Sequence, residues 1–242
     1  MRVLSQAAFV LHARPYRETS LILEIFSHDH GRLGAIAKGA RNPKSRQRAL
    51  LLPFTPLLLS WSGKGELALL TGVEAVGPAR ELSGQNRYAA YYLNELILRL
   101  LHRHDAHPEL FDCYAATLAK LHDDDSIQDG LRIFEKRLLA GIGYAMILDH
   151  DTVSGQPLEP ERLYQYLPER GPELSTNDRM TGHCLLGRSM LELDREHFSS
   201  ARSRHEARRL TRFLIDKQTV ERSLRSRQVF HQVISAVDLP TT

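Results

Sequence analysis

The chain has 242 residues, 42% hydrophobic and 25% charged, a balance that supports a sizeable packed core in one or two domains. Its net charge of +3 conceals an asymmetry: +6 over residues 1–80, −8 over 81–200 and +5 over 201–242, the pattern of a protein that meets a polyanion. No apolar run is long enough to span a membrane, two cysteines (Cys113 and Cys184) cannot frame a disulfide scaffold, and the start lacks signal-peptide order, so a cytoplasmic protein without membrane contact is expected.

Residues 6–80 read as β structure. Apolar stretches at 6–13 (QAAFVLHA) and 19–27 (TSLILEIFS) flank a polar turn that holds Arg14, Pro15, Tyr16, Arg17 and Glu18. A third strand is expected at 31–37, a fourth at 50–61 and a fifth at 66–71, separated by turn signals. Pro53 and Pro56 mark an edge, a bulge or a break in the fourth. Five short strands of this spacing predict a small barrel or sandwich, and a five-stranded barrel of this size is compatible with an OB-fold.

From about residue 81 the period changes to that of helices. Ala89, Tyr92, Leu93, Leu96 and Leu100 recur at helical spacing, and Pro108 opens a second helical pattern. Residues 126–147 carry Leu131, Phe134, Leu138 and Ile142 on one face. An irregular insert is expected at about 150–190, then helices over 185–193, 206–215 and 224–237. The expected class is α+β: a β domain at 1–80 and a helical domain with a loop-rich insert at 81–242.

Between the third and fourth strands stand Lys38, Arg41, Lys44, Arg46 and Arg48 without an acidic residue, interleaved with Gly39, Asn42, Pro43 and Ser45. A cationic loop on a barrel can lie along phosphates, each cation displacing a counterion; it can also simply be solvated. Arg14, Arg17 and Arg32 occupy or adjoin other turns of the same domain. Tyr16, Phe54 and Trp61 could stack bases, with a core role favoured for Phe54 and Trp61. Arg202, Arg204, Arg208, Arg209, Arg212, Lys217, Arg222, Arg225 and Arg227 form a second cationic face or the solvated side of helices.

Catalytic patterns are weak. His102, His104 and His107 cluster, but neither cysteine belongs to a C-x-x-C pair and H-E-x-x-H is missing, so no metal and no other cofactor is expected. Asp123, Asp124 and Asp125 precede a helix start, where carboxylates are favourable; a metal-dependent nuclease using them is the alternative from another class.

The stretch 9–59 (FVLHARPYRETSLILEIFSHDHGRLGAIAKGARNPKSRQRALLLPFTPLLL) resembles the N-terminal domain of the RecO family of bacterial recombination mediators. YLNEL at 92–96, LRIFEKRLLAGIGY at 131–144 and LRSRQVF at 224–230 extend the resemblance. It implies an OB-fold followed by a helical domain in a non-enzymatic protein of the cytoplasm, associated with the nucleoid. It also implies binding of single- and double-stranded DNA, annealing of complementary strands, and help in loading RecA. The implied partners are RecR and the acidic C-terminal tail of single-stranded-DNA-binding protein. Many members carry a four-cysteine zinc module in the insert; with Cys184 alone there, this sequence resembles the zinc-less branch. An acidic tail needs a cation beside apolar surface, for which Arg132 is the first candidate, with Lys120 and Tyr144 behind it.

Overall fold

The computed structural model describes residues 2–63, 65–77, 82, 84–121, 127–175 and 183–219. Asp123–Asp125, Arg222, Arg225, Arg227 and the helix expected at 224–237 therefore lie outside the described residues. Residues 1–124 belong to one compact unit and 125–223 to another.

The first unit is built on a closed barrel in which β1 (Arg2–Tyr16), β2 (Ser20–Ser27), β3 (Gly31–Ala37), β4 (Leu57–Ser62) and β5 (Leu67–Ala75) follow the order β1-β2-β3-β5-β4. All neighbours are antiparallel except β3 and β5, which pair in parallel from Gly34–Leu67 to Ile36–Leu69. Gly34 permits that closure: a Cβ there would sit 2.8 Å from a Leu67 methyl and 2.9 Å from the Glu66 carbonyl. Side chains of alternate residues fill the interior, including Val10, Leu23, Ile25, Leu33, Leu57, Leu59 and Trp61. Trp61 is thus a core residue.

The fourth strand is shorter than its apolar run. Pro53 and Pro56 cannot donate to a ladder, so the chain makes a four-residue helix, α1 (Gln47–Leu50), buries Leu51, turns, and enters β4 only at Leu57.

Two helices, α2 (Gly84–Leu100) and α3 (Pro108–Lys120), pack on the outer face of β1 and β2 in the same unit. Phe9 and Phe26 point out of the barrel and meet Phe111 and Tyr114, with ring centroids 5.1–5.9 Å apart. The β1–β2 register shifts between Val10 and His12, which places Leu11 in a bulge outside the ladder. Asn94 of α2 fills the need this creates: its Nδ2 donates to the Leu11 carbonyl at 2.8 Å, and its Oδ1 accepts from the Tyr114 hydroxyl at 2.5 Å. Burial raises the Tyr114 pKa far above the ordinary phenol value, so the hydroxyl stays a donor. Tyr114→Phe removes that donor from a buried amide and should cost about 1–2 kcal/mol, read as a lower urea midpoint.

In the second unit, α4 (Ile127–Gly141), α5 (Gly187–Asp194) and α6 (Ala201–Gln218) accompany a three-stranded antiparallel sheet. Its order is β7-β6-β8, from β6 (Leu163–Leu167), β7 (Gly171–Leu174) and β8 (Cys184–Leu186). The stretch read as an irregular insert therefore contains a sheet. Asp151 fastens it: one carboxylate oxygen accepts from the Val153 and Ser154 amides at 2.9 and 2.8 Å, the other from the Leu174 amide at 2.8 Å. These bonds, that from Ser154 foremost, hold the Asp151 carboxyl below the usual carboxylate range. A depressed folded pKa stabilises above the unfolded value of about 3.9, and the contribution disappears as pH falls through the folded value. Unfolding midpoints should thus drop below about pH 4 in the parent, and Asp151→Ala should flatten that limb.

Candidate nucleic-acid interface

The basic segment is a strap anchored at both ends. Ala40 is fully buried in the barrel core and Leu51 is 2% exposed in the same cluster, whereas Arg41–Lys44, Arg46 and Arg48 lie exposed between them. Gly39 adopts φ +68° to turn the chain, and the Asn42 and Ser45 amides donate to Gly39 and Asn42 carbonyls at 3.1 and 2.9 Å. Arg46 sits just before α1 and Arg48 within it. Lys38 is exposed at the start of the turn. Among the described residues, none of these five cations is ion-paired with a carboxylate.

The strap is tied to the β1–β2 turn. The Arg41 amide donates to the Thr19 carbonyl at 2.8 Å, and its guanidinium Nη1 to the Arg17 carbonyl at 3.1 Å. Arg17, at φ +49°, carries its guanidinium over the Tyr16 ring at 5.2 Å. Arg14 is exposed on the same side of β1 as Tyr16, which is half-buried. The structure thus brings Arg14, Arg17 and the loop cations to one end of the barrel, with Tyr16 among them. The turn also carries the exposed Glu18.

Arg32 is placed differently. Its Nη1 donates to the Leu98 carbonyl in the last turn of α2, and the His104 amide donates to the Arg32 carbonyl at 2.8 Å. Burial lowers its pKa, opposed by Glu24 and reinforced by the nearby Arg103. Arg103 itself pairs with Glu24. The Arg32 guanidinium satisfies a helix C-terminus rather than joining the strap.

The residues considered for an acidic tail fall in different units. Lys120 is the exposed last residue of α3 in the first. Arg132 and Tyr144 belong to the second. Arg132 is 6% exposed and donates to Glu135 at 2.8 Å, while Glu135 also accepts from the Thr211 hydroxyl at 2.5 Å. Tyr144 is 44% exposed, just beyond α4. Phe54 stands half-buried against Tyr91 of α2, centroids 4.9 Å apart, outside the barrel core. Among the described residues, no three metal-ligating side chains converge, and no helix is long and apolar enough to cross a membrane.

Strand order, closure and a basic strap beside a tyrosine together define an OB-fold protein. The model of the recombination protein O N-terminal domain matches residues 1–79, and that of its C-terminal domain residues 83–228. The DNA repair protein RecO of Dechloromonas aromatica is 43% identical over 235 residues, covering 96% of this chain and 97% of its own. Those of Methylococcus capsulatus and Nitrosococcus oceani are 44% and 41% identical, over 95% and 96% of this chain and 93% and 95% of theirs. The chain belongs to the RecO family.

Proposed function

We propose that this chain acts in DNA repair and homologous recombination as a mediator that binds single- and double-stranded DNA and anneals complementary strands. The observation that carries this reading is the strap from Lys38 to Arg48: cations without acidic partners among the described residues, held at one barrel end beside Arg14, Tyr16 and Arg17. Contacts to phosphate carry no base information, which suits a protein that must hold any sequence. Annealing needs no covalent step, because cations reduce repulsion between two strands and the bases then pair unaided.

The family further supports a role on strands coated by single-stranded-DNA-binding protein, action with RecR, and assistance in loading RecA at the nucleoid. For that protein's acidic tail, the exposed Tyr144 and Lys120 are separate contacts; the Arg132 guanidinium is held in the buried pair with Glu135 and is the weakest of the three candidates.

The test uses two complementary labelled strands of mixed sequence, first bare and then precoated. Faster duplex formation with strands left intact, in magnesium or manganese, is the expected result. Cleavage under those conditions would instead support the nuclease alternative, and neither annealing nor cleavage would leave the mediator reading without its activity.

A further inference from the structure

The second unit carries a cationic stripe that the barrel interface does not include. Arg209, Phe213 and Lys217 follow one another at intervals of four along α6, and so share one face of the helix. Arg209 and Lys217 are exposed and have no ion-pair partner among the described residues. The Lys217 ammonium lies 5.4 Å from the Phe213 ring centroid. His183, just before β8, stacks on the same ring with centroids 3.4 Å apart and an interplanar angle of 21°.

Three other cations on α6 are paired with carboxylates. Arg202 pairs with Glu206 at 2.8 Å, Arg204 with Asp129 at 2.7 Å and Arg212 with Asp216 at 3.7 Å. Asp216 is the one acid between residues 207 and 218, and Arg212 engages it. The field around His183 is accordingly positive: burial first, then Arg209 and Lys217, hold its imidazole below the ordinary histidine pKa.

We propose that Arg209 and Lys217, set about the Phe213–His183 stack, form a second contact for the phosphate backbone of single-stranded nucleic acid. Charge complementarity selects this occupant. Two cations at a spacing of eight helical residues, about 12 Å, span roughly two nucleotides of extended backbone. An aromatic surface between cations is the usual make-up of a single-strand groove. A second contact on a separate unit would let one chain grip two strands, or one strand twice. The inference rests on the DNA-binding reading above and adds a surface to it.

The test compares four full-length proteins on a labelled single-stranded 30-mer: the parent, Arg209→Gln/Lys217→Gln, a strap variant with Lys38, Arg41, Lys44, Arg46 and Arg48 replaced by alanine, and the combination of the two. The α6 variant should lower affinity roughly tenfold at 0.1 M salt and reduce the log–log salt slope by about 1.4, the value for two phosphates. Both cations are exposed, and circular dichroism checks that the fold is kept. An unchanged slope in the α6 variant, with the strap variant weakened, overturns this inference and leaves the barrel interface standing. A weakened α6 variant with an unaffected strap variant does the reverse. Loss of binding to an acidic peptide with DNA affinity intact would assign the stripe to a protein partner and also overturn the inference.

Discussion

Replacing Lys38, Arg41, Lys44, Arg46 and Arg48 together by alanine is expected to reduce the salt slope of single-strand affinity by about 3.5 and the affinity itself roughly a thousandfold at 0.1 M salt. The figure follows from one phosphate per cation, each releasing about 0.7 of a counterion from a single strand. It is large because these side chains project from a strap whose ends, Ala40 and Leu51, are locked into the core. The anchoring keeps the loop shape when the side chains are shortened, so the loss is electrostatic. Among the described residues, the one side-chain tertiary bond given up is that from Arg41 Nη1 to the Arg17 carbonyl, an exposed contact. Fluorescence anisotropy at several salt concentrations gives the slope; parallel lines for parent and variant would remove the strap from the interface. The loss should be the same for unrelated base sequences, since phosphates rather than base edges are contacted.

Arg132→Ala is the second large effect, and it falls on stability. The guanidinium lies 2.8 Å from a carboxylate, Glu135, that is 1% exposed and also accepts from Thr211 of α6. Removing one member of a buried ion pair costs roughly 3–5 kcal/mol, chiefly through the penalty on the remaining charge. Arg132→Met/Glu135→Leu should recover the greater part, because apolar groups of similar volume need no such compensation. Urea denaturation of the full chain reads both; a single variant as stable as the parent would contradict the buried-pair account. Arg132→Glu would set two carboxylates together in the same buried place, so any loss of tail binding in that variant must be read beside its stability. Tyr144→Ala, at an exposed position, probes tail binding without that complication.

Much of the barrel was legible. The strand at 31–37 was bounded by turn residues on both sides, and Gly31–Ala37 is the strand observed. Pro108 opens α3 because its missing amide costs nothing at a first turn. The run at 50–61 was harder, since Leu51 and Leu57 both reach the core and only the prolines between them reveal that the backbone turns. The insert sheet was less visible still. Tyr164 and Tyr166 alternate inward over only five residues, and the strands are held by Asp151, whose partner Leu174 is 23 residues away.

The strap was legible for a related reason: consecutive cations with turn residues and no acid among them have few places to go but the surface. Isolated arginines are not legible in this way. Arg32 and Arg132 look like Arg14 in a sequence, yet one meets the Leu98 carbonyl 66 residues away and the other a buried glutamate. Charge reports what a side chain can do; which partner it finds is decided by tertiary packing. The Arg209–Phe213–Lys217 stripe has visible spacing, but its join to His183 comes from the fold.

In the proposed complex, DNA lies on the strap and on the turn tied to it. Hydrogen–deuterium exchange of the full chain, with and without a single-stranded oligonucleotide, tests it most directly. The amides of residues 38–50 and 16–19 should exchange more slowly with DNA bound and recover when high salt releases it. Unchanged exchange in both segments while DNA is demonstrably bound would contradict it.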